Sequence, residues 1–416
     1  MRRPSSDRLG HVASLTTAFL LATINAVGAQ ETSDWTAITP TVEATGFVEQ
    51  LPIDVLQTKL LLELELGGHP RSVLFDTGSP SVLSKALATE LGLEIIDTIQ
   101  SVDANGTRLN NEVAVLDELR LGSVSVRNIP VIVADLSMAP IASCLFDAVL
   151  GSDILQVCNW QIDVAGRTLT CADRLEDLPL IDESAAVPLR VFGYPYSPIL
   201  DTEFQNGMTS SALLDTGSPE YVALTSDELD DLERTGAIER SAMVRGFGSA
   251  GESLGGMGGN QEAFRLSLSR LWIGELELVD VVARTRQEAP TLIGAGLLEH
   301  YLVTLAYPLK RAFFYKYSEA PLQRTGFGFG PDFGAPEVTA SIVWDESAAS
   351  AAGIRPGDRL TRIGDSDLTT ITGANRCSIV RNVLESLDAD PTLRVDFEHE
   401  GTPTTVELTR RNALER

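Results

Sequence analysis

Residues 73–84 read Val-Leu-Phe-Asp-Thr-Gly-Ser-Pro-Ser-Val-Leu-Ser, and residues 212–224 read Ala-Leu-Leu-Asp-Thr-Gly-Ser-Pro-Glu-Tyr-Val-Ala-Leu. Each stretch leads an apolar run into Asp-Thr-Gly-Ser-Pro, and a helix signal follows at 84–91 and at 226–234. A second landmark repeats in the same order: Ala-Val-Leu-Gly-Ser-Asp-Ile-Leu at 148–155 corresponds to Thr-Leu-Ile-Gly-Ala-Gly-Leu-Leu at 291–298. Asp76 and Asp215 are 139 positions apart (215 − 76), and Gly151 and Gly294 are 143 apart (294 − 151). Each landmark runs into an alternating hairpin, 159–170 and 303–315. Two markers in one order at nearly equal offsets define an internal repeat, hence two lobes of one design.

Between the markers lie short segments of period-two alternation, at 113–121, 124–133, 264–273 and 276–282, so each lobe is expected to be mainly β. Residues 182–188 make the crossing between lobes. From about Pro321 the composition changes. Gly326-Phe327-Gly328-Phe329-Gly330 precedes a strand at 338–344, a small-residue helix at 347–352, an amphipathic helix at 375–387 and a closing strand pair at 392–408. The expected organisation is a leader (1–29), a linker or N-terminal strand (30–52), a first lobe (53–180), a second lobe (181–320) and a small α/β domain (321–416).

The repeated aspartates carry the chemistry. A lone carboxylate is a weak base, with a reference pKa near 4. Two carboxyl groups held about 3 Å apart cannot both ionise, so one keeps its proton while the other stays charged. Such a pair can take a proton from a water and give one to a carbonyl oxygen. The apolar runs before Asp76 and Asp215 bury the turn, and Gly78 and Gly217 allow it to be tight. Thr77 and Thr216 can bond across the junction of the lobes, and Ser79 and Ser218 can donate to the outer carboxylate oxygens.

These residues resemble the active-site motif of the pepsin and retropepsin superfamily of aspartic peptidases. Val149-Leu150-Gly151 and Leu292-Ile293-Gly294 resemble that superfamily's second signature. The resemblance covers about residues 55–317 and implies two six-stranded-type β lobes facing across a cleft, with Asp76 and Asp215 as the catalytic pair. The stretch 76–93 is similar to bacterial retropepsin-like proteins. The resemblance also implies a flap, and Asn105-Gly106 has the composition of its tight hairpin turn, although 94–115 contains no aromatic residue. The glycine-rich run 246–259 is either a second, mobile counterpart or a plain surface loop. Its Gly246-Phe247-Gly248-Ser249-Ala250-Gly251 matches dinucleotide-binding spacing, but no βαβ unit surrounds it.

Residues 352–360, Ala-Gly-Ile-Arg-Pro-Gly-Asp-Arg-Leu, resemble the most recognisable stretch of PDZ domains, and Gly326, Phe327, Gly328 and Phe329 look like their carboxylate-binding loop. That resemblance implies binding of peptide C-termini at the sheet edge, with the helix at 375–387 as the other wall and Cys377 facing the ligand.

Composition bounds the rest. The 416 residues carry 58 acidic and 32 basic side chains, a net charge of −26, which repels nucleic-acid phosphates and anionic lipid heads. A basic start (Arg2, Arg3, Arg8), an apolar run at 12–27 and small residues at 27–29 read as an export signal cut before Gln30. The mature chain is then expected to be periplasmic or secreted, with no integral membrane association. Cys158 and Cys171 flank a hairpin that a disulfide can close. Cys144 as a partner and three free thiols remain the alternatives, and Cys377 reads as a buried small apolar residue. Four scattered histidines and no zinc-type cysteine spacing give no metal site, and no cofactor is expected. The expected function is aspartic endopeptidase acting on polypeptides. The alternative is a non-catalytic exported peptide-binding scaffold that keeps the protease fold.

Overall fold

The computed structural model describes residues 34–249, 251–334 and 336–415. The expected export signal lies outside them. Both halves of the repeat fold the same way. In the first, strand His69–Phe75 runs parallel to Ala148–Leu150, which runs antiparallel to Val82–Ser84, so the second landmark threads between the two strands that flank the Asp-Thr-Gly turn. In the second, Thr209–Asp215 runs parallel to Thr291–Gly294, which runs antiparallel to Val222–Thr225. Each unit continues through a parallel pairing, Val82–Ser84 with Val124–Ala134 and Val222–Thr225 with Leu276–Arg286, into a long antiparallel hairpin. The helices Lys85–Glu90 and Ser226–Arg234 start at Ser84 and Thr225, whose side-chain oxygens accept from Leu87 N and Glu228 N. Those caps satisfy amides that a helix start otherwise leaves unpaired.

The alternation of the central strands sets the burial. Val73 and Phe75 enter the core of the lobes, whereas Leu74 and Val149 join a second apolar layer with Phe146, Ile99 and Val113. The lobes are joined by the hairpins that follow the second landmarks. Asn159–Asp163 pairs antiparallel with Tyr301–Ala306, in the order Ala185–Pro188, Arg311–Lys316, Tyr301–Ala306, Asn159–Asp163, Thr168–Ala172, Val48–Leu56. The crossing segment is therefore itself a strand of this joint. Val48–Leu56 starts within the expected linker.

The C-terminal segment is built from strands Phe329–Asp332, Thr339–Trp344, Arg359–Ile363, Thr392–His399 and Thr402–Thr409 with helix Arg376–Ala389. It does not hang free. Thr339–Trp344 also pairs with Val244–Ser249 of the second lobe. This close approach accounts for the glycines of the dinucleotide-like run. A Cβ on Gly246 would stand 2.7 Å from the Trp344 ring, and Gly248, at φ 138°, lies against the backbone of Ser341 and Ile342. Residues 246–249 of the expected loop are thus part of a strand.

Two disulfides form. Cys158–Cys171 closes the first-lobe hairpin, and Cys144–Cys377 joins helix Pro140–Leu145 to helix Arg376–Ala389. Cys377 is thus neither a free apolar residue nor a wall of a ligand groove, because it is covalently committed to the first lobe. Its partner lies 233 positions away, a pairing that spacing along the chain cannot signal. Arg381 adds an ion pair to Asp54 at 3.2 Å. Among the described residues no helix is long and apolar enough to cross a membrane.

In the chain-entropy picture, removing a cross-link costs more the longer the loop it closes, about 3 kcal/mol for a 13-residue loop and about 5 kcal/mol for one above 200. A Cys377→Ser variant is therefore expected to lower the thermal unfolding midpoint by more than Cys171→Ser does. Calorimetry of the two variants checks the order.

Candidate active site

Asp76 follows the last residue of His69–Phe75, and Asp215 ends Thr209–Asp215. Both strands are central in their sheets, which fixes the two turns. Asp76 Oδ1 accepts from Gly78 N at 2.9 Å, and Asp215 Oδ1 accepts from Gly217 N at 2.8 Å and Ser218 N at 3.2 Å. The turns then interlock. Thr216 Oγ1 accepts from Thr77 N at 3.0 Å and donates to Phe75 O at 2.9 Å, while Thr77 Oγ1 accepts from Thr216 N at 3.1 Å and donates to Leu214 O at 2.6 Å. Both threonines are buried.

This exchange brings the carboxyl groups together. Each lies over the glycine of the opposite turn, so that a Cβ at Gly78 would collide with Asp215 and one at Gly217 with Asp76. The two carboxyl groups thus face each other across the seam, close enough to interact directly. Burial pushes Asp76 up to about 7, and the facing Asp215 charge adds to the rise; the Lys59 ammonium and the Gly78 amide pull the other way. The serines depart from expectation. Ser79 turns its hydroxyl to the Pro80 carbonyl, at 2.8 Å, and Ser218 serves through its amide. The backbone amides are already aimed at the carboxylates by the turn, so the hydroxyls are not needed there.

Behind the first turn stands a residue that the repeat did not single out. Buried Asp153 accepts from Ser81 Oγ at 2.6 Å and Ser81 N at 3.1 Å, and Ser81 Oγ accepts from Gly151 N at 3.0 Å. Burial pushes Asp153 up to about 6 against these donors. The second lobe solves the same place differently, because Gly296 stands where Asp153 does. There buried Glu220, whose burial alone would raise it, is held below the ordinary range by Arg265, Arg284 and Arg324. Two further charges reach the site. The Lys59 ammonium donates to the Gly217 carbonyl, and Arg286 lies within the field of Asp215. Lys59 carried no repeat signal, being one cation ahead of an apolar strand.

Two hairpins roof the site. Ile95–Val102 and Arg108–Leu121 turn at Asn105-Gly106, where Gly106 has φ 77°. From the second lobe, Glu252–Ser253 pairs with Gly256–Met257. The tips are bonded to each other: Gly255 N donates to Asp103 Oδ2 at 2.9 Å, Asn105 Nδ2 to Gly251 O at 3.0 Å, and Ala104 N to Ser253 Oγ at 3.2 Å. The Glu252 carboxylate accepts from Ile141 N and Ala142 N, at 3.1 and 2.8 Å, which ties the second hairpin to the first lobe as well. Of the two readings of 246–259, a surface loop does not fit these contacts.

The glycine loop of the C-terminal segment is engaged internally. Phe327 is buried under the Arg410 guanidinium, 4.9 Å from its ring, and its carbonyl accepts from Ala349 N. Gly328 O accepts from Trp344 N, Gly326 pairs with Arg411, and Phe329 is half-buried. Among the described residues no cluster of three or more His, Cys, Asp or Glu is placed to hold a metal.

A family model described as "Aspartyl protease" matches residues 62–154. That stretch holds the first Asp-Thr-Gly turn and its threading landmark, and the second lobe repeats the same topology; the fold is aspartic-protease-like. A search of curated proteins found no match. Among solved structures, soybean basic 7S globulin is 12% identical and aligns over 66% of this chain and 95% of its own, with a TM-score of 0.39. An aspartic proteinase from Irpex lacteus is also 12% identical, over 65% of this chain and 98% of its own, with a TM-score of 0.42.

The interlock sets two expectations. Thr77→Val removes one hydroxyl and leaves Leu214 O and Thr216 N unpaired in a buried place, at about 1–3 kcal/mol each, so chemical denaturation should show a loss of several kcal/mol. The second concerns pH. A carboxyl group whose folded pKa is raised holds its proton more tightly in the native state, so the native state loses stability as that proton leaves. The unfolding midpoint is therefore expected to fall as pH rises from about 4 to about 7, and Asp76→Asn should flatten that decline. A midpoint that climbs over this range would contradict the buried, proton-sharing pair.

Proposed function

We propose that the chain is an aspartic endopeptidase that hydrolyses polypeptides through Asp76 and Asp215. The observation that carries this reading is the paired geometry: two carboxyl groups that face each other, each over the other's glycine, at a seam built by two copies of one turn. In the reaction, the ionised carboxylate takes a proton from a water as its oxygen attacks the peptide carbonyl carbon. The protonated carboxyl group gives its proton to the carbonyl oxygen, and the tetrahedral adduct collapses with proton transfer to the leaving nitrogen. No covalent intermediate with the protein forms. The apolar layer of Leu74, Val149 and Phe146 flanks the pair on the first-lobe side, and the roofing hairpins open for the substrate and exclude water once it is bound.

Burial of the pair favours its singly protonated form over a wider pH range than exposed aspartates allow, since the second proton is lost only near 7. Export to an oxidising compartment belongs to this reading, supported by two disulfides with no free cysteine among the described residues. The C-terminal segment is read as a PDZ-like domain for polypeptide ends, on the strength of the stretch 352–360.

Digestion of an unfolded protein, followed by mass spectrometry, tests the activity. Asp76→Asn and Asp215→Asn are each expected to reduce cleavage by at least about 10³-fold, pepstatin should inhibit the wild type, and activity should be lost as pH rises past about 7. Wild type and both variants equally inert between pH 3 and 8 would leave a peptide-binding scaffold as the better account.

A further inference from the structure

The two-residue turn that precedes strand Lys59–Leu66 is contacted from outside its own lobe. Gln57 and Thr58 both adopt positive φ, 50° and 61°. This region is costly for a β-branched residue such as threonine and persists where surroundings enforce it. The hairpin that pairs Leu56 with Lys59 calls for that conformation by itself, and helix Arg376–Ala389 of the C-terminal segment adds contacts to the turn. Gln57 N donates to Asp388 Oδ2 at 2.7 Å, and Gln57 Nε2 donates to Asp388 Oδ1 at 2.8 Å and Leu384 O at 3.0 Å. The next residue is Lys59, half-buried, whose ammonium crosses the junction to the carbonyl of Gly217. The amide of that same glycine donates to Asp215 Oδ1. A first-lobe cation is thus bonded into the second-lobe Asp-Thr-Gly turn, and the turn before it is bonded to a C-terminal helix.

We propose that Lys59 is a positioning residue of the candidate active site: its ammonium clamps the Gly217 turn and fixes the charge balance of the Asp76–Asp215 pair, and the Gln57–Asp388 contact lets the C-terminal domain control that clamp. The charged groups that face the pair and Lys59 are few. Arg286, on the strand behind Asp215, and Glu288 beyond it act on the second-lobe side, and Glu252 of the roofing hairpin lies in the field of Lys59. Of these, Lys59 alone is hydrogen-bonded to an Asp-Thr-Gly turn. A positive charge there favours the ionised form of the pair. Without it, the pair keeps its proton to higher pH.

The inference rests on the proposed peptidase chemistry, and two readouts on the full chain keep the two claims apart. One is the alkaline limb of kcat/KM against pH; the other is the pH at which the unfolding midpoint declines, which needs no activity. Lys59→Met is expected to move both upward by on the order of one pH unit. Lys59→Gln, which keeps a donor for Gly217 without the charge, should shift both likewise, and Lys59→Arg should restore the wild-type positions. Asp388→Ala, which removes both carboxylate contacts to Gln57, should shift them in the same direction by less. Profiles of Lys59→Met and Lys59→Gln that superimpose on the wild type would overturn the role given to Lys59. Should the wild type cleave nothing while the unfolding profile still shifts in these variants, the peptidase reading falls and the clamp stands.

Discussion

The molecule is organised around a buried electrostatic conflict. Two half-buried carboxyl groups are forced together across the seam, and one of them answers by holding its proton towards neutrality. Such an arrangement does not persist by itself. It is held by the crossed threonine bonds, in which each lobe's hydroxyl both accepts from and donates to the other lobe's backbone. Those bonds exist because each turn terminates a central strand, and each central strand is pinned by a landmark strand running parallel to it.

The two lobes are equal in topology and unequal in support. Behind the first turn the Asp153–Ser81 pair braces Gly151, while the second lobe uses a glutamate among three arginines in the corresponding region. The arginine cluster also stacks on Trp344 of the C-terminal segment, with Arg265 3.9 Å and Arg284 5.5 Å from the ring. The second lobe thus shares its brace with the C-terminal segment. Around the rim, the Cys144–Cys377 bond, the Thr339–Trp344 strand pairing and the Gln57–Asp388 contact fasten that domain to both lobes.

Local rules made much of this visible beforehand. The strands alternate, a helix signal follows each Asp-Thr-Gly motif, and the glycines mark tight turns; that opposing carboxyl groups also leave those glycines no room for a Cβ follows only from the assembled lobes. The Ser79 hydroxyl bonds to Pro80 O and Ser218 reaches Asp215 through its amide, since the turn already points backbone amides at the carboxylate. The glycines at 246 and 248 were visible as glycines but not as the site of a strand crossing from another domain. Glu252, Asp103 and Lys59 gave no signal, because their roles depend on partners in the other lobe.

The sequence by itself determined the duplication, the strand content, the two turns and the identity of the facing aspartates. These rest on spacing and on side-chain preferences that act within a few residues. Only the tertiary structure decided which cysteine Cys377 meets, which cation touches the Asp-Thr-Gly turn, and how the roofing hairpins latch. Those contacts join residues more than 100 positions apart, and nothing in local chain chemistry distinguishes one distant partner from another until the sheets are assembled.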